Sequence, residues 1–239
     1  MSVYVCSDIH GRYDRYVQLL KNINFSDDDK MYILGDVVDR NGIGGIDILQ
    51  DIMYRPNIQL LLGNHELFFL EALELMRRYE DEHDYIWDIN CWLNRNGGMV
   101  TYNNYKMLNG ESQDKIYEYI KNLSVIEVIE VNDEKYHLSH SSTIAQRSQS
   151  VYKVSDLCKM DLKSVVWNSP YRSGNTYIPK SWYSEDLTYI IGHVPTTRII
   201  GSPDINCDDS IIDIDCGCAI SGGRLGCLRL DDMQEFYVE

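Results

Sequence analysis

The sequence predicts an α/β fold whose first strands run parallel. Apolar runs at residues 3–6, 31–34 and 58–62 are each bounded by turn residues, which is typical of buried strands. Two stretches with the apolar spacing of helices, 13–23 and 44–54, separate these runs. This alternation of strand and helix indicates parallel strands that are joined by right-handed crossovers.

The later elements follow from the same signals. An amphipathic helix is predicted over 66–79, an irregular helical stretch over 81–98, and a helix over 113–123 with Ser112 as its cap. The second half favours strands, which are predicted at residues 125–131, 135–139, 187–191, 210–215, 226–230 and 235–238.

The chain length suits one domain. A chain of 239 residues can bury a substantial core, and no linker, repeat or low-complexity segment divides it. We therefore expect a single domain over 1–239, with helical or loop insertions near 81–124 and 141–186. The stretch 141–186 contains few apolar runs, and a stretch of that length inside a compact domain is typically functional or mobile.

Charge and cysteine usage limit the classes of partner. The formal net charge is −15, which argues against a broad basic surface for a nucleic acid polymer. Seven cysteines at scattered spacings form no zinc pattern and indicate a reducing compartment. We expect a cytoplasmic protein without a membrane partner, because the sequence shows no signal-peptide pattern and no run long enough to span a bilayer.

Polar clusters follow the three predicted parallel strands. They are Asp8-Ile9-His10-Gly11, Gly35-Asp36-Val37-Val38-Asp39-Arg40 and Gly63-Asn64-His65-Glu66. Open α/β sheets bind ligands at the carboxyl ends of their strands, where these clusters fall. Carboxylate, imidazole and amide oxygen together form a ligand set for divalent metal ions. The sequence therefore predicts a metal site at this edge.

The clusters resemble the strings D-x-H-G, G-D-x-x-D-R and G-N-H-E of the calcineurin-like metallophosphoesterases. They are most similar to the phosphoprotein phosphatase branch, which includes bacterial and phage Ser/Thr phosphatases and symmetrical diadenosine tetraphosphatases. Later parts of the pattern are Leu138-Ser139-His140-Ser141, Gly192-His193-Val194-Pro195-Thr196, Ile212-Asp213-Ile214-Asp215-Cys216-Gly217 and Gly222-Gly223-Arg224-Leu225. The resemblance covers nearly the whole chain and implies the metallophosphatase sandwich, an α/β fold of two mixed β-sheets flanked by helices.

The resemblance also implies two divalent metal ions. Asp36 would bridge them, the first site would be completed by Asp8 and His10, and the second by Asn64, His140 and His193. Manganese is the expected metal, although iron and zinc also suit these ligands. Metal-bound hydroxide would attack the phosphoester directly, so that no protein nucleophile is required.

Further roles are implied beside the metals. His65 would protonate the leaving group, and Asp39 would hold the tautomer of its ring. Arg40 would bind the phosphoryl oxygens through its rigid fork, and Asn64 would also face the substrate.

The chain departs from the family pattern at two places. Ser141 follows His140, where phosphatases commonly have His-Ala-Gly. Trp167 has no arginine two residues after it, although related phosphatases carry a phosphate-binding arginine shortly after a tryptophan. Arg172 is the nearest candidate for that role, with a plain surface cation as the alternative. His83 and His137 match no family position, and we expect them to be structural.

The resemblance leaves three functions open. The first is a Ser/Thr protein phosphatase-like activity on phosphoprotein or on small phosphomonoesters. The second is a symmetrical bis(5'-nucleosyl)-tetraphosphatase, which would act on a nucleotide substrate. The third is a catalytically silent metal-binding scaffold, which the presence of every implied ligand and of His65 disfavours. The sequence does not fix the oligomeric state.

Overall fold

Two mixed β-sheets form the centre of the molecule, as the sequence predicts. The computed structural model describes residues 1–40, 42–79, 81, 83, 85–141, 151–171, 184, 186–208 and 210–239. The first sheet contains, in spatial order, β11 (Gln234–Val238), β10 (Leu225–Arg229), β1 (Val3–Cys6), β2 (Lys30–Ile33) and β3 (Ile58–Leu60). The second contains β6 (Val151–Lys153), β4 (Ser124–Val131), β5 (Glu134–Ser139), β7 (Thr188–Ile191), β9 (Ile211–Asp213) and β8 (Asn206–Asp208).

Each sheet has a parallel centre. In the first sheet β1, β2 and β3 run parallel, and β10 joins β1 in the antiparallel direction. In the second sheet β5, β7 and β9 run parallel, while β4 is antiparallel to β5. Parallel neighbours end at the same edge, so the loops that follow them come together.

The helices flank this pair of sheets. They are α1 (Tyr13–Asn22), α2 (Gly45–Met53), α3 (Asn64–Arg78), α4 (Asn90–Arg95), α5 (Met99–Lys106), α6 (Gly110–Lys121), α7 (Lys159–Trp167) and α8 (Thr196–Ile199). Within the described residues, no helix combines the length and the apolar character that crossing a membrane requires.

Ser112 is not the cap of α6, contrary to the sequence prediction. The helix begins at Gly110, and the Asn109 side chain accepts a hydrogen bond from the Ser112 backbone N–H at 2.9 Å. Asn and Ser cap helices about equally well. The prediction failed because Gly110 reads as a helix breaker, although at the first helical position it is tolerated.

The alternation of buried residues along β1 shows how the layers pack. Val3 and Val5 lie in the apolar cluster between the two sheets, together with Leu138 of β5. Tyr4 and Cys6 point the other way, into the larger cluster that the helices cover. Successive side chains of a strand leave on opposite faces, so a strand that is covered on both faces is apolar throughout.

Candidate dinuclear metal centre

The predicted ligands lie where the carboxyl ends of the two sheets meet. Asp8 and His10 follow β1 and Asp36 follows β2, whereas His140 follows β5 and His193 follows β7 of the other sheet. The remaining predicted ligand, which lies in the first turn of α3 after the cap Gly63, is Asn64. The six side chains therefore approach one point from three loops of one sheet and two of the other.

The backbone at these positions is locally strained. Left-handed φ angles occur at Asp8 (54°), His10 (48°), Asp36 (56°), Asp39 (71°), Arg40 (63°) and His193 (76°). Such angles are uncommon for residues other than glycine, and they persist only when the surrounding structure holds them. Strain of this kind clusters at functional sites, so its concentration here supports a functional role for the edge.

The first cluster of ligand atoms surrounds the ring of His10. Its Nδ1–H donates to the Val38 carbonyl oxygen at 3.0 Å, which leaves Nε2 with a free lone pair. That Nε2 lies 3.8 Å from Asp8 Oδ1 and 3.7 Å from Asp36 Oδ2. Three acceptor atoms therefore face one another, an arrangement that a cation between them would stabilise. A carbonyl that fixes the tautomer of a ligand histidine is a usual feature of metal sites.

The second cluster repeats this arrangement around His140. Its Nδ1–H donates to the Leu34 carbonyl oxygen at 2.7 Å, so its Nε2 points into the site. The Nε2 lies 2.9 Å from Asn64 Oδ1, 3.5 Å from Asp36 Oδ2 and 3.2 Å from His193 Nδ1. His193 Nδ1 is also 2.9 Å from Asn64 Oδ1. An amide oxygen, a carboxylate and two imidazole nitrogens thus converge on one small volume.

Asp36 connects the two clusters. Its Oδ1 accepts a hydrogen bond from the His65 backbone N–H at 3.0 Å. Its Oδ2 is buried, has no hydrogen-bond partner, and faces both His10 and His140. A buried carboxylate oxygen without a partner is energetically unfavourable unless a positive charge compensates it. The residues present therefore fit a pair of divalent ions with Asp36 between them.

The electrostatics of the site suit metal ligation. Burial lowers the pKa of His193 to about 3, assisted by the charge of His140, and burial together with His65 lowers the pKa of His10 well below its usual range. Both rings are therefore neutral at pH 7 and can offer lone pairs. Burial alone would raise the pKa of Asp36, but His140, His65 and His10 hold it below its usual range.

By distance alone, His65 could be a ligand of the first cluster in place of Asp8. Ligand atoms of His10, Asp36 and His65 lie within 4.8 Å of one another. His65 Nδ1, however, lies 2.7 Å from Asp39 Oδ2, and its Nε2 is 3.9 Å from Asp36 Oδ2. Asp8 offers a carboxylate oxygen, which is the harder donor. The family resemblance implies Asp8 as the ligand of the first cluster and another role for His65, and this assignment stays a prediction.

His65 and Asp39 lie together beside the ligands, and Arg40 follows Asp39 in the same loop. Burial would lower the pKa of His65, but the charges of Asp36 and Asp39 outweigh burial and raise it. Arg40 has an exposed side chain. Its positive charge lowers the pKa of His65 and the pKa of His10, and for His10 this effect is weaker than that of burial. The imidazole of His65 therefore favours its charged form, against the positive charge of Arg40.

Glu66 is a buried member of the site to which the sequence analysis gave no role. Its carboxylate accepts hydrogen bonds from the backbone N–H groups of Asp36 at 2.7 Å, Val37 at 2.9 Å and Gly63 at 3.1 Å. A Cβ on Gly63 would lie 2.3 Å from Asp36 Oδ1. Glu66 therefore ties the Asp36 loop to the start of α3. The signal in the sequence was a glutamate three residues after a helix cap.

Other predicted residues lie apart from the ligands. His83 is exposed, and buried His137 packs against Tyr189 with ring centroids 4.9 Å apart. Ser141 donates from Oγ to the Val165 carbonyl oxygen at 2.8 Å, so this departure from the family pattern anchors α7. Arg172 lies outside the described residues, and its role stays a prediction.

Two further carboxyl groups, Asp213 and Asp215, are buried behind the site. Asp213 Oδ1 accepts from the Asp215 backbone N–H at 3.0 Å, whereas Asp213 Oδ2 is buried without a hydrogen-bond partner. Burial, and then the charge of Asp215, raise the pKa of Asp213 well above its usual range. The folded state therefore holds the proton of the Asp213 carboxyl group more tightly than the unfolded state does. The stabilising effect of this proton is present at low pH and is lost as pH rises.

Asp213→Asn is expected to stabilise the metal-free protein increasingly as pH rises. Asparagine keeps the acceptor for the Asp215 N–H and never ionises, so the free energy of unfolding should gain on the order of 1 kcal/mol at pH 8. In a domain of this size that corresponds to ~2–4 °C in Tm. Thermal unfolding in EDTA between pH 4 and pH 8 measures it. A difference between variant and wild type that stays constant with pH would contradict the burial of this charge.

Comparison with known proteins agrees with this geometry. The family model described as calcineurin-like phosphoesterase matches residues 1–214. The symmetrical bis(5'-nucleosyl)-tetraphosphatase of Salmonella typhimurium is 25% identical over an alignment of 296 positions, which covers 99% of this chain and 94% of that protein. The same-named protein of Enterobacter sp. is 24% identical over 173 residues, covering 72% of this chain and 52% of that protein.

Solved structures share the fold. A crystal structure of a proposed diadenosine tetraphosphatase superposes with a TM-score of 0.62 at 16% identity, covering 99% of this chain and 92% of that one. A Saccharomyces cerevisiae protein serine/threonine phosphatase gives a TM-score of 0.57 at 15% identity, covering 96% of this chain and 72% of that one. Since the family model covers most of the sequence, the chain belongs to the calcineurin-like phosphoesterases, a family of metal-dependent phosphoester hydrolases.

Proposed function

We propose that this chain hydrolyses phosphoesters at a centre of two divalent metal ions. The observation that carries the proposal is Asp36 Oδ2, a buried oxygen without a hydrogen-bond partner that faces the Nε2 atoms of His10 and His140. Asp8 and His10 would hold one ion with Asp36. The ligands of the other ion, again with Asp36, would be Asn64, His140 and His193. The ions would supply Lewis acidity, which polarises the phosphoryl group and lowers the pKa of water.

The proposed metal is manganese. The donor set mixes carboxylate, amide oxygen and imidazole, which suits manganese as well as iron and zinc. Ligand type alone does not separate these metals, because their selection in the cell also depends on availability. Manganese is the metal that the family resemblance implies, so it is the first metal to use in each assay.

The residues beside the ions would handle the substrate. Arg40 would bind phosphoryl oxygens through its planar guanidinium, which matches two oxygens at once. His65 would give a proton from Nε2 to the leaving oxygen, since its Nδ1–H is bonded to Asp39 and its pKa is raised. Proton donation to a leaving group is worth roughly 10²–10⁴-fold in rate.

The substrate we propose first is a phosphomonoester of the kind that Ser/Thr protein phosphatases use. It is supported by the G-D-x-x-D-R and G-N-H-E clusters, whose His65 and Asp39 side chains are hydrogen-bonded. The second candidate is a symmetrical dinucleoside tetraphosphate. It is favoured by the curated relatives, which are named for that activity and align with nearly the whole chain.

Parallel assays separate the two candidates. We expect manganese-dependent phosphate release from a phosphoserine peptide that exceeds cleavage of diadenosine tetraphosphate under the same conditions. The control is Asp36→Asn, in which both activities should disappear. Faster cleavage of the dinucleotide would replace the first candidate by the second. If neither substrate turns over while manganese still binds, either the choice of substrate or the proposed hydrolysis itself is wrong.

A further inference from the structure

The carboxylate of Asp39 is held by the segment 85–106, which carries α4 and α5 and contributes to neither metal cluster. Thr101 Oγ1, at the start of α5, donates to Asp39 Oδ1 at 2.6 Å and accepts from the Asp39 backbone N–H at 3.0 Å. Trp92 Nε1, on α4, donates to Asp39 Oδ2 at 2.6 Å. Both side chains are as buried as the pair that they contact. His65 Nδ1 therefore shares the carboxylate with two further donors.

The rest of this segment fits closely around the same pair. The Gly97 carbonyl oxygen accepts from the Arg40 backbone N–H at 3.2 Å. A Cβ at Gly97 would lie 2.6 Å from Arg40 Cα, so only glycine allows this approach. The Trp92 ring stacks on Phe69, one turn after His65 on α3, with centroids 5.7 Å apart. The segment thus contacts the loop that carries Asp39 and the helix that carries His65.

These contacts restrain a residue that would otherwise move. Asp39 has a left-handed φ of 71°, which a non-glycine residue keeps only when its surroundings hold it. A carboxylate bonded to His65 alone could rotate and exchange its oxygens. With Thr101 on Oδ1 and Trp92 on Oδ2, the orientation of the carboxylate is fixed. The imidazole then keeps Nδ1–H towards Asp39, and its Nε2 faces the metal clusters.

We propose that Trp92 and Thr101 are positioning residues that orient the Asp39–His65 pair for proton transfer to the leaving group. They act through Asp39 and touch no reacting atom. The inference rests on the acid role proposed for His65. It also gives the predicted helical insertion over 81–124 a task in the reaction.

The test compares substrates whose leaving groups differ in their need for a proton. Thr101→Val keeps the shape of the side chain and removes its hydroxyl, and Trp92→Phe keeps an aromatic ring and removes the N–H. On phenyl phosphate each variant should lose about tenfold or more in kcat, a part of the roughly 10²–10⁴-fold that acid catalysis contributes. On 2,4-dinitrophenyl phosphate, whose leaving group needs no proton, the loss should be small. Thr101→Ser should restore the wild-type ratio.

The matched control lies in the same segment. Tyr85 Oη is 3.3 Å from Tyr102 Oη, so Tyr85→Phe removes a buried hydrogen bond that does not involve Asp39. It should leave the ratio between the two substrates unchanged. Manganese titration of all variants should give wild-type stoichiometry, because none of these residues lies in a metal cluster.

A double-mutant cycle separates positioning from a general structural role. If Thr101 acts through His65, Thr101→Val should have no further effect on phenyl phosphate hydrolysis in a His65→Ala background. Equal losses in both backgrounds, or equal losses on both substrates, would overturn the proposal. Failure of the wild-type protein to hydrolyse either aryl phosphate would instead count against the proposed function. In that case proton NMR still tests the positioning. The signal of the His65 Nδ1–H is expected to be protected from exchange with water in the wild type and to be lost in Thr101→Val.

Discussion

Replacement of Asp36 by asparagine is expected to abolish tight binding of both metal ions. The change keeps an oxygen that can accept from the His65 backbone N–H, now bonded to Oδ1 at 3.0 Å. It replaces Oδ2 by an amide nitrogen that faces the Nε2 atoms of His10 and His140 at 3.7 Å and 3.5 Å. The variant therefore loses a ligand charge but keeps the shape of the side chain, so that it should fold without metal.

Calorimetric titration with manganese chloride measures this effect. We expect two ions bound by the wild type and none bound tightly by Asp36→Asn, with hydrolysis reduced by about 10³-fold or more, since metal stabilisation of the transition state is worth several kcal/mol. Asp14→Asn makes the same chemical change at a side chain that is 65% exposed and is the matched control. Asp8→Asn should lose one ion only. Two ions bound with wild-type affinity by Asp36→Asn would rule out a bridging role.

The sequence was sufficient for the elements that bury apolar runs between turns. β1, β2 and β3 and the crossovers α1 and α2 lie within a few residues of their predicted limits. Their parallel pairing also explains why Asp8 and Asp36 lie at one edge. The approach of His140 and His193 from the second sheet could not be derived from spacing, because it depends on how two sheets pack. It was anticipated only through the family resemblance.

Other features of the structure could not be predicted from the sequence. α5 lies within the predicted insertion near 81–124, but its limits were not predicted because Tyr102 and Tyr105 are its main buried rings among polar neighbours, so its apolar periodicity is weak. The hydrogen bonds from Trp92 and Thr101 to Asp39 join residues more than 50 positions apart. Such non-local pairs are set by tertiary packing, and a buried tryptophan in a polar stretch gives no hint of its partner. The left-handed backbone of the ligand loops is likewise imposed by the folded surroundings.

His65→Ala is expected to retain both metal ions and to lose most of its activity on poor leaving groups. His65 belongs to neither proposed ligand set, and without it Asp39 still accepts hydrogen bonds from Trp92 and Thr101, so the loop should keep its conformation. Loss of a general acid should reduce kcat on phenyl phosphate by roughly 10²–10⁴-fold. On 2,4-dinitrophenyl phosphate the reduction should be much smaller, because that leaving group departs without a proton.

His137→Ala is the matched control for this prediction. It removes a second buried imidazole, which packs on Tyr189 of the neighbouring strand in the second sheet. The variant should therefore have a lower Tm and an unaltered ratio between the two substrates. Manganese titration of His65→Ala should still show two ions, which separates loss of the acid from loss of a ligand. If His65→Ala binds only one ion, His65 belongs with His10 and Asp36 as a ligand. If it binds two ions and hydrolyses phenyl phosphate at the wild-type rate, the proton comes from another group.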